Sequence, residues 1–256
     1  MKPIQSLLFA CLFWCAASAH AKKITIAAAA DLKFAMDEIV TSFQQANARA
    51  EVDVVYGSSG KFYTQIQQGA PYDLYFSADI GFPRELAKAG LAASEARLYA
   101  FGRIVLWSAK LDASKMTLAN LTDAKITRIA IANPKHAPYG KRAEEALRAS
   151  GLWEKVEPKI VYGENIAHTA ELVQTGNAQV GIIALALAVN PKLASKGGYW
   201  LIPDHLYEPL EQGFILTKRA EGNTLARRFA DYMGSKPARA IMTKYGFVLP
   251  GEVVGK

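Results

Sequence analysis

Four short segments place hydroxyl groups, small side chains or bare backbone amides at the predicted beginnings of helices. They are Asp31, the sequence Gly-Ser-Ser-Gly at 57–60, Pro138-Tyr139-Gly140 and Asn165-Ile166. The N-terminus of a helix offers unpaired N–H groups and a partial positive charge, which together attract an anion. Ser, Asp and Asn also cap helices that bind nothing, so one such junction carries little weight. Four of them in one chain favour a binding site for a small anion.

The sequence contains none of the common catalytic or metal-binding motifs. Beyond the first 21 residues it has three histidines, His136, His168 and His205, and none of them lies at a metal-ligand spacing. There is no G-x-S-x-G motif, no Walker A loop and no G-x-G-x-x-G at the start of a helix. We therefore predict a protein that is not an enzyme and that holds neither a cofactor nor a bare metal cation.

The elements that must position these junctions alternate between short β-rich runs and amphipathic helical runs. This alternation predicts an α/β fold with mostly parallel sheets flanked by helices. The predicted strands are Ile24–Ala30, Glu51–Tyr56, Leu74–Ser77, Arg103–Trp107, Arg128–Ala132, Lys159–Tyr162, Gln179–Ile183, Tyr199–Ile202 and Phe214–Thr217. The predicted helices are Leu32–Phe43, Ser59–Gln68, Phe82–Ala89, Tyr139–Ala149, Ile166–Gln174, Asn223–Gly234 and Lys236–Tyr245. In such sheets, ligands bind where the carboxyl ends of the strands meet.

Composition excludes several classes of protein. The chain has 256 residues, of which 51% are hydrophobic and 21% charged, the balance of a globular protein with a core. After the first two dozen residues, no apolar run approaches the roughly 20 residues of a membrane helix. The net charge is +7, but Lys and Arg alternate with Asp and Glu throughout. This mixing argues against a nucleic-acid partner.

The first 21 residues have the pattern of a secretory signal peptide. Lys2 precedes an apolar run at 7–17, and Ala19-His20-Ala21 is an A-x-A cleavage sequence. Both cysteines, Cys11 and Cys15, lie inside the apolar run, so the exported chain of 256 − 21 = 235 residues contains no cysteine. We therefore expect a periplasmic protein without disulfides.

Five blocks of the sequence, in order, resemble the periplasmic molybdate-binding proteins of ABC transporters. The blocks are ITIAAAADLKFAMDEI, VVYGSSGKFYTQIQQGAPYDLYFSAD, RIAIANPKHAPYGKRAEEAL, VYGENIAHTAELVQTGNAQVGIIALA and KYGF. The second block is the most specific, and together the blocks cover nearly the whole chain after residue 21. The resemblance implies a two-lobed fold with residues 22–102 and 213–256 in lobe one and 103–212 in lobe two. Crossings near 103–108 and 213–217 would form the hinge.

The resemblance also implies a ligand and a set of contacts. The ligand is molybdate, and equally tungstate, which a monomeric protein would deliver to the membrane permease of an ABC transporter. The contacts carried over by position are Asp31, Ser58, Ser59, Tyr139 and Ile166, acting through hydroxyls and backbone amides. The chain departs from the family pattern twice. Many members have Ser in place of Asp31, and many have Tyr in place of Ala184, whose missing hydroxyl we expect Tyr139 to replace.

Asp31 is the contact at which electrostatics opposes the family pattern. An ionised carboxylate about 4 Å from one negative charge costs roughly 4 kcal/mol at an effective dielectric near 20, and a dianion about doubles that cost. Two interpretations avoid the cost. Either the Asp31 side chain caps the helix that begins at Leu32, which is the favoured interpretation, or Asp31 is protonated when the ligand is bound.

Two other classes of function remain open from the sequence. The first is a binding protein for another tetrahedral oxyanion, such as sulfate or phosphate; phosphate keeps a proton at neutral pH and needs an acceptor, which Asp31 could supply. The second is a secreted serine hydrolase with Ser58 or Ser59 as nucleophile and His136 or His168 as base. The hydrolase lacks both a nucleophile motif and an assignable orienting acid.

The signal-peptide pattern makes a prediction about processing. We expect cleavage after Ala21, which would release a soluble chain that begins at Lys22. Intact-mass spectrometry of the exported protein measures this directly. A retained N-terminus, or a lipid attached to Cys11, would contradict the prediction.

Overall fold

The computed structural model describes residues 22–252. The predicted signal peptide, residues 1–21, lies outside these residues. None of the helices in the described range has the length and hydrophobicity that crossing a bilayer requires.

Strands and helices alternate along the described chain, as the sequence pattern predicts. The strands are β1 (Lys22–Ala29), β2 (Ala50–Gly57), β3 (Leu74–Ser77), β4 (Arg97–Gly102), β5 (Ile104–Trp107), β6 (Ile129–Ala132), β7 (Ile160–Gly163), β8 (Val180–Ala184), β9 (Tyr199–Leu201) and β10 (Leu210–Leu216). The α-helices are α1 (Lys33–Ala46), α2 (Ser59–Gln67), α3 (Gly81–Lys88), α4 (Pro138–Ala149), α5 (Trp153–Val156), α6 (Ile166–Gln174), α7 (Leu185–Ala188), α8 (Pro191–Ala194), α9 (Thr224–Tyr232) and α10 (Lys236–Lys244).

The strands form two sheets of five strands each. Their orders are β2-β1-β3-β10-β4 and β7-β6-β8-β5-β9. In each sheet four strands run in one direction, and the remaining strand, β10 or β5, runs against them. The predicted α/β fold with mostly parallel sheets is confirmed. The two sheets share one topology, although the sequence shows no internal repeat.

The inner strands are mostly apolar, because helices cover both faces of each sheet. In β1, Ile24 and 26–29 are at most 2% exposed, and all four residues of β6 are fully buried. Parallel strands covered on both faces are built in this way. The alanines at the end of β1 let the first turn of the following helix pack close against the sheet.

The chain passes between the sheets twice. The first passage is at Arg103, between β4 and β5, and the second is the segment 202–209, between β9 and β10. Strand β10 therefore lies wholly in the first sheet and begins at Leu210, three residues before the predicted lobe boundary. Arg103 also donates a hydrogen bond from Nη2 to the carbonyl of Gly246 at 3.2 Å, which fixes the first passage to the C-terminal part of the chain.

Candidate functional site

The four predicted junctions follow four parallel strands, two in each sheet. In the first sheet, β1 leads into a 3₁₀ helix at Ala30–Leu32 that contains Asp31, and β2 leads into α2. In the second sheet, β6 precedes α4 and β7 precedes α6. The start of α4 packs tightly against β6, because a Cβ atom on Gly140 would lie 2.0 Å from the carbonyl oxygen of Ala132. This contact explains the glycine after Tyr139.

All five predicted contact residues line one cavity between the two sheets. Its walls are Ala29, Ala30, Asp31, Gly57, Ser58, Ser59, Ala78, Ala137, Pro138, Tyr139, Asn165 and Ile166. The volume of this cavity is about 10 Å³, which is the space of about one water molecule. Both sheets therefore close around a space that admits only a small group.

Larger cavities lie elsewhere in the molecule, and two of them have similar volumes. One of about 300 Å³ lies between β4, α9 and α10, and a second of about 300 Å³ lies between α1 and α6. Neither is lined by any of the predicted contact residues. Size alone would favour them, but the small cavity is the one at which the helix starts converge.

Ser59 is positioned to donate its hydroxyl proton. Its side chain is buried, and its Oγ accepts a hydrogen bond from the N–H of Ala78 at 3.0 Å. Its carbonyl accepts a hydrogen bond from the Tyr75 hydroxyl at 2.7 Å. A hydroxyl oxygen that already accepts a hydrogen bond still has its own proton to give. Ser59 can therefore offer that proton to a ligand in the cavity.

Ser58 uses its hydroxyl differently. The hydroxyl donates to the carbonyl of His136, so the hydroxyl oxygen accepts from the ring nitrogen Nδ1 of His136 at 2.9 Å. The same carbonyl accepts from the N–H of Gly60 at 2.9 Å. Ser58 lies in the cavity wall, but its hydroxyl proton is already used, which leaves its backbone to face a ligand.

These contacts, together with an ion pair, join the rims of the two sheets. Lys61 Nζ lies 2.8 Å from Glu164 Oε1, and this neighbour lowers the pKa of Glu164. Both side chains are about half exposed, so the pair contributes about 0–1 kcal/mol. Burial, followed by the charge of Lys61, lowers the pKa of His136. The rim is therefore held by several weak contacts.

The pairing of Ser58 with His136 does not form a hydrolytic triad. The Ser58 proton is donated to a carbonyl oxygen, and within residues 22–252 no carboxylate is hydrogen-bonded to the His136 ring. His168 accepts from the N–H of Glu164 at 3.2 Å, within its own helix start, and His205 lies in a separate 3₁₀ helix at Asp204–Leu206. A base oriented by an acid, which acyl transfer needs, does not form here.

Ile166 offers a backbone donor. Asn165 caps α6, and its Oδ1 accepts from the N–H groups of Ala167 and His168 at 3.0 Å each. This capping satisfies the second and third N–H groups of the helix and leaves that of Ile166 beside the cavity. The apolar side chain of Ile166 is buried in the core and does not compete for this role.

Asp31 is hydrogen-bonded across the two sheets. Its Oδ2 accepts from the hydroxyl of Tyr139 at 3.0 Å and from Nε2 of Gln212 at 2.8 Å. Nε2 of Gln212 also donates to the Tyr139 hydroxyl oxygen at 2.9 Å. The exposed fractions of the three side chains are 1%, 2% and 0%, so water cannot replace these partners.

The expectation that Asp31 caps the following helix is wrong. Asp31 lies inside the 3₁₀ helix at Ala30–Leu32, and neither this helix nor α1 has a side-chain cap. A residue inside the first turn of a helix cannot be its N-cap, because the N-cap is the residue before that turn. The carboxylate turns instead to Tyr139 and Gln212, and its Oδ1 has no hydrogen-bond partner.

Burial raises the pKa of Asp31 to about 6, although the hydrogen bonds from Gln212 and Tyr139 act in the opposite direction. Within residues 22–252, no Lys, Arg or His forms an ion pair with Asp31. Burial, followed by the charge of Asp31, raises the pKa of the Tyr139 hydroxyl well above its usual value, so Tyr139 remains a neutral donor. The charge of Asp31 in the cavity is therefore uncompensated.

Gln212 is the functional residue that the sequence analysis missed. It lies in β10, whose sequence LEQGFIL is otherwise largely apolar and buried. A fully buried amide in such a strand needs hydrogen-bond partners, which was the available signal. Its Oε1 has no partner, as is also true of Oδ1 of Asp31.

Two sheets that close on a small cavity lined by helix starts define a two-lobed binding protein of the periplasmic type. Residues 24–248 match the family of bacterial extracellular solute-binding proteins, and the chain belongs to this family. Groups of three or more His, Cys, Asp or Glu that could hold a metal ion do not occur in the described residues.

The chain is similar to curated proteins over nearly its whole length. The molybdate-binding protein ModA of Rhodobacter capsulatus is 36% identical over 234 residues, which cover 90% of this chain and 90% of that protein. The ModA protein of Azotobacter vinelandii is 34% identical over 235 residues, or 91% and 93% of the two chains. The resemblance to the molybdate-binding proteins is confirmed.

Solved structures give the same result. The periplasmic molybdate-binding protein of Azotobacter vinelandii superimposes with a TM-score of 0.84 at 31% identity, covering 89% of this chain and 99% of that one. The sulfate-binding protein SubI of Mycobacterium tuberculosis has a TM-score of 0.74 at 14% identity over 90% and 88% of the two chains. This second likeness shows a shared fold alone.

The raised pKa of Asp31 predicts how stability depends on pH. A carboxyl group with a pKa of about 6 when folded and about 4 when unfolded stabilises the protein at low pH, and this stability is lost as the pH rises through that window. Two pKa units correspond to about 3 kcal/mol. Between pH 4 and pH 7, the free energy of unfolding of the wild type should therefore fall by up to about 3 kcal/mol relative to Asp31→Asn.

Urea denaturation of both proteins at several pH values measures this difference. Asp53→Asn is the control, because Asp53 is an exposed carboxylate on the neighbouring strand, paired with Lys23. Parallel stability curves for the wild type and Asp31→Asn would show that burial does not shift the pKa of Asp31.

Proposed function

We propose that this protein captures molybdate in the periplasm and delivers it to the membrane permease of an ABC transporter. The observation that carries the proposal is the small cavity between the two sheets, on which neutral donors at several helix starts converge. The names of the similar proteins from Rhodobacter capsulatus and Azotobacter vinelandii agree with this ligand.

The donors suit a compact dianion. Ser59 gives a hydroxyl proton, Ile166 gives a backbone N–H, and the starts of α2, α4 and α6 add their partial positive charges. Hydrogen bonds from neutral groups to an ionised acceptor are stronger than those to a neutral one. Tungstate shares the size and charge of molybdate and should bind equally. Sulfate is smaller and would leave the same donors too far away.

The contact set of the proposal is Asp31, Ser58, Ser59, Tyr139 and Ile166. Ser59 and Ile166 act as direct donors, and Ser58 acts through its backbone. Asp31 and Tyr139 form the far wall with Gln212. The Tyr139 hydroxyl donates its proton to Asp31, so it does not supply the hydroxyl donor that many family members carry on a tyrosine at the position of Ala184.

The two lobes of the proposal are residues 22–102 with 213–256, and residues 103–212. The membership of the two sheets supports this division, apart from the first three residues of β10. Closure about the passages at 103 and 202–209 would bring Ser59 toward Tyr139 and Ile166. The hydrogen bonds between Ser58, Gly60 and His136 and the ion pair between Lys61 and Glu164 then hold the rim closed. The closed form presents the surface that the permease recognises.

We further propose that the protein acts as a monomer, without catalysis and without a nucleic-acid partner. The similar proteins are binding proteins, and the serine near His136 lacks an orienting acid. The exported chain would begin at Lys22 after removal of the signal peptide.

A second candidate ligand is phosphate, and one specific observation favours it. Oδ1 of Asp31 is a buried acceptor without a partner. Hydrogenphosphate carries a proton that an ionised Asp31 could accept, whereas molybdate is fully ionised at neutral pH. The ligand panel below separates the two.

The test is a panel of molybdate, tungstate, sulfate, phosphate and chromate on the exported chain, by thermal shift and by calorimetry. A ligand that binds only the folded state stabilises it by about 2.7 kcal/mol at a hundredfold excess over its Kd. We expect tight binding of molybdate and tungstate and much weaker binding of sulfate and phosphate. Sulfate or phosphate binding as tightly as molybdate would refute the proposal.

Substitution of Ser59 tests the main hydroxyl donor. Ser59→Ala removes a charge-assisted hydrogen bond and should cost about 1.5–3 kcal/mol, which raises the Kd for molybdate about 10- to 150-fold. The matched control is Ser235→Ala, because the Ser235 Oγ also accepts a backbone N–H at a helix start, but on α10 away from the cavity. An unchanged Kd in Ser59→Ala would remove Ser59 from the site.

A further inference from the structure

We propose that Asp31 binds the anion in its protonated form, so that one proton is taken up with each dianion and Oδ1 donates it to an anion oxygen. The inference rests on the proposed function and adds a proton to what the site captures. It makes Asp31 a specificity-determining residue for fully ionised oxyanions.

The geometry distinguishes the two oxygens of the carboxyl group. Oδ2 is held by Tyr139 at 3.0 Å and Gln212 at 2.8 Å, which fixes the orientation of the side chain. Oδ1 is buried and makes no well-formed hydrogen bond in the protein, although the N–H groups of Asp31 and Leu32 lie close enough to the carboxylate to lower its pKa. Asp31 also lines the cavity. A proton on Oδ1 would therefore lack an acceptor from the protein until an anion arrives.

The surroundings of Asp31 offer no compensating positive charge. The titratable groups that face it are Tyr139 from α4 and Tyr99 from β4, both buried and neutral. The third neighbour is the amide of Gln212 from β10, and no ion pair of residues 22–252 includes Asp31. An ionised Asp31 beside a dianion would place three negative charges in a small cavity without a compensating cation. Protonation removes one charge and turns an unused acceptor into a donor.

Burial has already raised the pKa of Asp31 to about 6, so protonation near neutral pH needs only a small further shift. A dianion in the same cavity raises this pKa further, because like charges disfavour ionisation. By linkage, protonation must strengthen anion binding by the same factor.

Binding of the anion transfers one proton from the solvent to Asp31. The proton comes from the solvent and joins Oδ1, and an O–H···O hydrogen bond forms to the anion. No bond of the anion is made or broken. When the anion leaves, Oδ1 loses its acceptor and the proton returns to water.

With a protonated ligand, the hydrogen bond to Asp31 would run in the opposite direction. Hydrogenphosphate brings its own proton and can donate it to an ionised Oδ1, with no net uptake from the solvent. The source of the proton, solvent or ligand, therefore separates the two oxyanion classes.

Isothermal titration calorimetry of molybdate in two buffers with different ionisation enthalpies counts the protons taken up. At about pH 8 we expect close to one proton per molybdate, and a Kd that rises about tenfold from about pH 7 to about pH 8. In Asp31→Asn, the amide can accept from Tyr139 and Gln212 and donate in place of the protonated oxygen. This variant should take up no proton, lose the pH dependence and bind more tightly than the wild type at about pH 8. Asp53→Asn is the control and should keep the wild-type proton count.

The outcomes separate the inference from the proposed function. Molybdate binding without proton uptake in the wild type overturns the inference and leaves the proposed function standing. No molybdate binding at any pH overturns the proposed function. Tight phosphate binding without proton uptake, lost in Asp31→Asn, overturns both. The wild-type proton count does not depend on whether the variant folds.

Discussion

The cavity between the two sheets depends on one constraint, a buried carboxyl group that has no cationic neighbour within residues 22–252. Asp31 lies in the 3₁₀ helix that follows β1, an inner strand of one sheet, and its hydrogen-bond donors come from a helix on the other sheet and from β10. A carboxyl group deprived of water must find donors or give up its charge. Tyr139 lies at the start of α4, so its hydrogen bond to Asp31 holds the start of α4 close to the end of β1. The geometry of the cavity is thus set by the need to satisfy one side chain.

The other donors of the site are neutral hydroxyls and backbone amides, and among the described residues no charged side chain lines the cavity except Asp31. Fixed hydroxyls and backbone amides have defined directions and lengths, so they distinguish anions by size and protonation, whereas a lysine would attract any anion. The charged pair between Lys61 and Glu164 lies at the rim, half exposed, where it is screened and weak. The rim contacts therefore add to closure without contributing to selectivity, whereas Asp31 takes part in both.

Sequence patterns predicted most of the elements but only part of the site. The buried strands β1 and β6 and the helices α4 and α6 follow from local periodicity, and the junction pattern found Ser59 and Ile166. Strand β4 was missed because its state depends on pairing with β10, far away in sequence. The same non-local effect explains the site. Local propensity favours Asp31 as a helix cap, but its carboxylate is hydrogen-bonded by Tyr139 and Gln212, which are distant in sequence. The Ser58 hydroxyl is likewise hydrogen-bonded to His136, which is distant in sequence.

The position of β10 between β3 and β4 has a consequence for the order of folding. The strands of the second sheet come from the continuous segment 104–201 and can assemble alone. The first sheet cannot: β4 ends at Gly102 and pairs with β10, which begins at Leu210, and with Val248, and both partners come much later in the chain. Closing such a long loop is slow, because its entropy is lost before any pairing compensates for it. We therefore expect the first sheet to be completed after the second.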